Sequence, residues 1–229
     1  MVASLAGCGT TEREQQDTAP DDCPTTQIIG IRGQGQSLTA HAGLGAEVDG
    51  ITARIADGLG TTVTIEAVRH RSRSAGMAEY DADVAQGRRL LGRLVRADAQ
   101  RCPGAQRIVV GFSQGSQIAR EELAAHRGLA DLVDALVLVG SPVRDPDSPV
   151  HRVDLPGPEP ERAGSLGPGP DLGALNARTV EACITGDDVC AKPTDRAQDY
   201  TIHRTAYEKP QVVDAIADAT TAVLRSARG

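Results

Sequence analysis

From position 23 onward, short apolar runs alternate with stretches in which apolar residues recur every three or four positions. The runs predict strands at Gln27–Ile31 (QIIGI), Thr62–Val68 (TVTIEAV), Arg107–Gly111 (RIVVG), Ala135–Val139 (ALVLV) and Thr179–Ile184. Between the first two, Leu44, Val48, Ile51, Ile55 and Leu59 share one helical face. Asp81 can cap a second helix through Val84, Leu91, Leu94 and Val95, with residues 69–79 before it read as a basic loop. A third helix runs from Gln114 to about Arg127, and a last one follows Pro210, with Val212, Val213, Ile216, Ala219 and Val223 spaced for burial. Strands alternating with helices in this way specify a parallel α/β sheet. The pattern stops at residues 143–173, which together with Pro142 hold eight of the chain's 13 prolines. No regular element is expected there, and a structureless loop of this length is often functional.

Composition narrows the function classes. The chain has 229 residues, enough for one domain with a sizeable core, but only 2% are aromatic. With one Phe, three Tyr and no Trp, the core must come from Val, Ile, Leu and Ala. The same shortage removes the stacking platforms of single-strand nucleic-acid modules, and a net charge of −7 gives a polyanion no basic footprint. No run approaches the roughly 18 apolar residues of a membrane span. So few aromatics also predict a binding cleft with little aromatic surface.

The five cysteines leave one unpaired. Cys8 closes Leu5-Ala6-Gly7-Cys8, which resembles the lipobox of bacterial lipoproteins, although residues 1–7 are short for a signal core and lack a basic residue. Residues 1–22 are therefore read as a truncated signal or lipobox remnant followed by an acidic tether, and residues 23–229 as the folded domain. A Cys8 anchor would be the chain's one attachment to a membrane.

Gly111-Phe112-Ser113-Gln114-Gly115 fits G-x-S-x-G in the context that the motif requires, a buried-type strand before it and a helical pattern after it. That sharp turn would hold the Ser113 hydroxyl above the sheet, with the Gln114 N–H at the helix start facing a developing oxyanion. A serine hydroxyl needs a base that is itself oriented by a third group. His41, His70, His126 and His151 all read as surface or helix-end residues, whereas His203 alone follows the fifth strand. Asp187 and Asp188 lie between Ser113 and His203, in a short loop at the sheet edge where such folds carry their sites.

That loop runs Cys183-Ile-Thr-Gly-Asp187-Asp-Val-Cys190. The combination C-x-T-G-D-x-V-C, preceded by G-F-S-Q-G and followed by a histidine, closely resembles the cutinase family of serine esterases. The resemblance runs from Cys23 to the C-terminal helix. It implies an α/β-hydrolase domain of five parallel strands, order 2-1-3-4-5, with helices on both faces. It further implies the disulfides Cys23–Cys102 and Cys183–Cys190, hence an exported, cell-envelope or extracellular location. The metal alternative for Cys183 and Cys190 lacks the usual ligand spacing.

By position, Ser113 would be the nucleophile, Asp187 the orienting acid and His203 the general base. Arg32-Gly33-Gln34 matches the family's R-G-S/T oxyanion segment, so the backbone N–H groups of Gln34 and Gln114 would form the oxyanion hole. Gln34 replaces the family's hydroxyl residue and removes a side-chain donor, unless its own amide substitutes. The approach to His203, AKPTDRAQDYTI, is mostly polar, which favours short to medium acyl esters over a waxy polymer. The resemblance implies no metal and no cofactor. It implies a monomer acting on a small-molecule or lipid ester. The alternatives are an acyltransferase or phospholipase with the same triad, and a non-catalytic envelope lipoprotein that keeps the fold.

Overall fold

β-branched residues, too crowded at Cβ to favour helix, combine with other aliphatic ones to form the strands where the pattern places them. A computed structural model describes residues 23–74 and 76–226. In it β1 is Thr26–Ile31, β2 Val63–Ala67, β3 Gln106–Phe112 and β4 Ala135–Val139, while β5 is His151–Arg152 and β6 Thr179–Ala182. All pairings are parallel, in the order β2-β1-β3-β4-β6-β5. The five long strands thus take the expected 2-1-3-4-5 arrangement. The sheet nevertheless has six strands rather than five, because β5 pairs its two residues with Val180 and Glu181 at the outer edge.

Side chains alternate across the sheet. Ile28, Ile108, Val110 and Val137 face the helices α1 (Ala46–Leu59) and α6 (Pro210–Ser226), meeting Val48, Ile51, Ile55, Val212 and Ile216. Ile29, Ile31, Val109, Leu136 and Leu138 face α2 (Met77–Arg101) and α3 (Gln114–Ala125), meeting Val84, Leu91, Val95, Ile118 and Leu123. Both layers are aliphatic, as the composition requires. α2 starts at Met77, four residues before the cap expected at Asp81, so the basic loop is shorter than predicted. Its added first turn is exposed except at Tyr80, which removes the apolar period that would have marked it. Two short helices complete the order, α4 (Arg127–Ala130) and α5 (Thr201–Thr205).

Residues 143–173 are not the structureless loop that their prolines suggest. Besides β5, they carry Arg144 and Arg152 into contact with Glu181 of β6, which also receives Arg120 of α3. Arg120, Arg144 and Glu181 are each at most 2% exposed. Backbone bonds from Gly164 to Arg144, Leu166 to Pro142 and Gly169 to Val143 lay the return of the segment against its own start.

Two disulfides close the frame. Cys23–Cys102 joins the residues just before β1 and β3, and Cys183–Cys190 closes the loop after β6. Cys8 and the tether at 9–22 lie outside the described residues.

Candidate active site

The register brings the strand ends level, with Ile31 opposite Gly111, Phe112 opposite Val139, and Val139 opposite Ala182. The segments that leave this edge carry Gln34, Ser113, Pro142 and Asp187, so four strand ends converge on one site. Ser113 links β3 to α3 with φ 54° and ψ −119°, a left-handed conformation that costs a non-glycine residue of order 1–3 kcal/mol. The turn closes only because its flanks are glycine. A Cβ on Gly111 would lie 2.5 Å from the carbonyl oxygen of Gly115, and one on Gly115 would collide with that of Ile31.

His203, on α5, is 7% exposed, and its Nδ1 lies 2.9 Å from Asp187 Oδ2. Asp187 is wholly buried, and its remaining capacity is satisfied. Val189 N–H donates to Oδ1 at 2.9 Å, and the Tyr207 hydroxyl donates to Oδ2 at 2.7 Å. Tyr207 is also fully buried, and burial, followed by the Asp187 charge, pushes its phenol well above the ordinary range. It therefore stays a donor at any working pH. Asp188, the other carboxylate of the loop, turns away and accepts from Arg196 at 2.5 and 2.7 Å and from the Asp199 N–H at 2.6 Å. Of the two aspartates, Asp187 is the one in contact with His203.

The other histidines have separate partners. His41 pairs with Asp49, His126 with Glu122, and His151 with the Ala177 carbonyl, while His70 is buried beside Arg32 and Gln114. Only His203 lines the cleft with Ser113, a concavity of about 600 Å³. Arg32 donates to the carbonyls of Gln36, Val68 and His70 and to Ser72 Oγ, which ties the segment after β1 to the loop after β2. The Gln34 side chain donates to the Arg73 carbonyl at 3.0 Å, so its amide N–H is engaged with the loop after β2.

The chain's aromatics gather here rather than avoiding the cleft. Phe112 stacks on His203 at 4.8 Å with rings 19° apart, and Tyr207 packs edge-on to the same imidazole. Tyr80 and Tyr200 line the opening. All three tyrosines and the one phenylalanine therefore surround the site, but Tyr80, Phe112 and Tyr207 are buried, so only Tyr200 offers exposed aromatic surface at the opening. The rim is also less polar than the run before His203 suggests. Met77, Leu166 and Tyr200 are exposed and line it, brought from three separate segments. Tyr207 follows His203 by four positions, just past the end of α5, and that spacing is the one sequence signal that could have exposed it.

A parallel sheet with a serine on a strained strand-to-helix turn, and a His–Asp pair in the segments that follow the last long strand at the same edge, is the α/β-hydrolase fold. Within that class the chain belongs to the cutinase family, whose model matches residues 21–220. A curated relative, acetylxylan esterase 2 of Talaromyces purpureogenus, is 28% identical over 122 residues, covering 52% of this chain and 50% of the relative. The chain thus spans about half the length of that protein. Among solved structures, a cutinase-like protein from Cryptococcus sp. superposes with a TM-score of 0.71 at 19% identity, covering 90% of this chain and 98% of that one. The catalytic core domain of acetyl xylan esterase from Trichoderma reesei gives 0.66 at 18% identity, covering 87% and 100%. These likenesses carry the fold. Among the described residues no helix is long and apolar enough to cross a membrane.

Proposed function

We propose that the protein is a serine esterase that hydrolyses carboxylic esters through an acyl-serine intermediate. The observation that carries this reading is the His203–Asp187 hydrogen bond of 2.9 Å in the cleft that Ser113 enters from a strained turn. His203 Nε2 takes the Ser113 proton as Oγ attacks the ester carbonyl, while Asp187 holds the imidazole with its other nitrogen protonated. The backbone N–H groups of Gln34 and Gln114 receive the oxyanion, and collapse expels the alcohol, protonated by His203. Water activated by the same histidine then releases the acid. Removal of one oxyanion donor costs about 10²–10³ in rate, so the absence of a hydroxyl at position 34 predicts a slower enzyme than a relative that has one.

The substrates are esters of short to medium acyl chains. Gln34, Gln36, Glu47, Gln198 and Glu208 interrupt the apolar lining, while Met77, Leu166 and Tyr200 give the rim its apolar contact. The names of two relatives, acetylxylan esterases, agree with a short acyl group. Two disulfides support an exported location, with Cys8 as the candidate anchor. p-Nitrophenyl esters from acetyl to palmitoyl, with Ser113→Ala alongside, test the reading. The expected result is burst release and a rate that falls beyond medium chains, both lost in the variant. Full turnover by Ser113→Ala would overturn the assignment, and a rise toward palmitoyl would overturn the chain-length part. Added alcohol separates hydrolysis from acyl transfer, because a transferase would form the new ester in preference to the free acid.

A further inference from the structure

The turn that presents Gln34 is closed by a side chain. Gly33–Gln36 is a β-turn, with Gln36 N–H facing the Gly33 carbonyl at 3.5 Å and a positive φ of 78° at Gly35, the third position. A 3.5 Å bond is a weak closure. The Gln36 side chain folds back to reinforce it, with Oε1 accepting the Gly33 N–H at 2.7 Å. Its other end, Nε2, donates to Glu47 Oε2 on α1. Glu47 is 4% exposed and stands at the start of that helix. Gly45 is packed so closely on the Gln36 amide that a Cβ there would lie 2.6 Å from Cδ. Gly33 in turn abuts the nucleophile, and a Cβ on it would lie 3.3 Å from that of Ser113.

An amide can present either end, and here its neighbours choose. The Gly33 N–H only donates, so Oε1 must face Gly33, which leaves Nε2 to donate to the Glu47 carboxylate. We propose that Gln36 and Glu47 are a positioning pair for the oxyanion hole, in which Glu47 fixes the orientation of the Gln36 amide and Gln36 fixes the Gly33–Gln34 backbone against Ser113. The inference rests on the esterase reading and deepens it. Where a serine or threonine at position 34 would add a hydroxyl donor, this chain has Gln34 turned to Arg73, and the backbone donor must work alone. Its alignment then decides the rate, since a displacement of about 1 Å can cost about 100-fold.

Two double variants test the pair while avoiding a lone buried charge. Gln36→Leu with Glu47→Leu removes both side chains without stranding the Glu47 carboxylate, and leaves only the Gly33 N–H without its side-chain acceptor. It is expected to fold with a Tm lowered by about 2–10 °C, and to lose about 10- to 100-fold in kcat on p-nitrophenyl acetate with KM within about threefold. Gln36→Glu with Glu47→Gln exchanges the groups. A carboxylate at position 36 still accepts the Gly33 N–H, and an amide at position 47 donates to it. That variant is expected within about fivefold of the parent kcat. A parent-like kcat in the double leucine variant would overturn the pair, as would an exchange variant equally slow. A loss confined to KM would make the two residues substrate contacts instead, and would also overturn it. Labelling of the parent by a fluorophosphonate at Ser113 keeps the two readings apart. Without labelling or turnover the esterase reading itself fails, whereas with both present and the double leucine variant fully active only the positioning pair fails.

Discussion

His70 is a wholly buried imidazole whose carbonyl accepts from Arg32 and whose Nδ1 lies 3.2 Å from the Val68 carbonyl. Burial, and next the Arg32 guanidinium, push its pKa from 6.5 down to about 4, while the Val68 carbonyl and the Gln114 amide oppose the shift. A depressed pKa favours the folded state only where the unfolded chain's histidine is also neutral. The contribution is therefore complete above pH 6.5 and is lost as the pH falls through about 4, because the unfolded chain binds a proton that the folded one refuses. Between pH 7 and pH 5 this amounts to about 2 kcal/mol. Urea denaturation at the two pH values should show that loss in the parent and a smaller one in His70→Gln. An equal loss in both would assign the acid sensitivity to other groups. The same residue shows why function is hard to read one position at a time. His70 and His203 are both buried histidines in loop-like sequence, and only their surroundings, Arg32 for one and Asp187 for the other, tell them apart.

Elements were legible wherever local pattern decides them. β1, β3, β4 and β6 are aliphatic or β-branched runs buried on both faces, and α1 and α6 carry apolar residues at helical spacing. The Ser113 turn and the Cys183–Cys190 loop were also readable, because glycine and cysteine at fixed offsets encode backbone geometry locally. What escaped is held by distant partners. β5 is a two-residue edge strand of His and Arg, and nothing in its composition marks it as a strand. The order of residues 143–173 comes from arginines meeting Glu181, which lies about 30 to 60 positions away from Arg152, Arg144 and Arg120. Gln36, Glu47 and Tyr207 act on the site through contacts that no motif spans. The arginine cluster has a direct consequence for the segment. Replacing Glu181 leaves the buried Arg120 guanidinium without its ion-pair carboxylate, while Arg144 and Arg152 keep Glu159, and loss of one member of a buried pair costs about 3–5 kcal/mol. Glu181→Gln should destabilise the protein toward the lower end of that range and open residues 143–173 to trypsin at Arg152 and Arg162. Limited proteolysis followed by mass spectrometry reads the effect directly. A variant as resistant as the parent would mean that the backbone bonds of Gly164, Leu166 and Gly169 hold the segment without the charges.

At the scale of the molecule, the two disulfides sit at opposite edges of one sheet and should therefore do different things. Cys23–Cys102 precedes β1 and β3, at the N-terminal ends of the strands, whereas Ser113, Asp187 and the Gly33–Gln36 turn leave the C-terminal ends. The bridge spans a sequence separation of 79, so its loss frees a large loop in the unfolded chain, worth about 4–5 kcal/mol on the loop-entropy scale. It touches nothing in the cleft. Cys183–Cys190 spans a separation of only 7, worth about 2–3 kcal/mol on the same scale, but it encloses Asp187, and Cys190 Sγ lies 3.2 Å from Asp187 Oδ2. Stability and activity should then respond in crossed order. Replacing both Cys23 and Cys102 with serine should lower the unfolding free energy more, with kcat at 25 °C nearly unchanged in the fraction that remains folded. Replacing both Cys183 and Cys190 should lower it less, yet reduce kcat by about tenfold or more on the proposed mechanism, since the carboxylate bonded to His203 loses its frame. Denaturation curves and steady-state kinetics on the same preparations distinguish the two. Equal effects on kcat would mean that the acid loop keeps its geometry through the Tyr207 and Val189 hydrogen bonds alone, with the second bridge serving stability only.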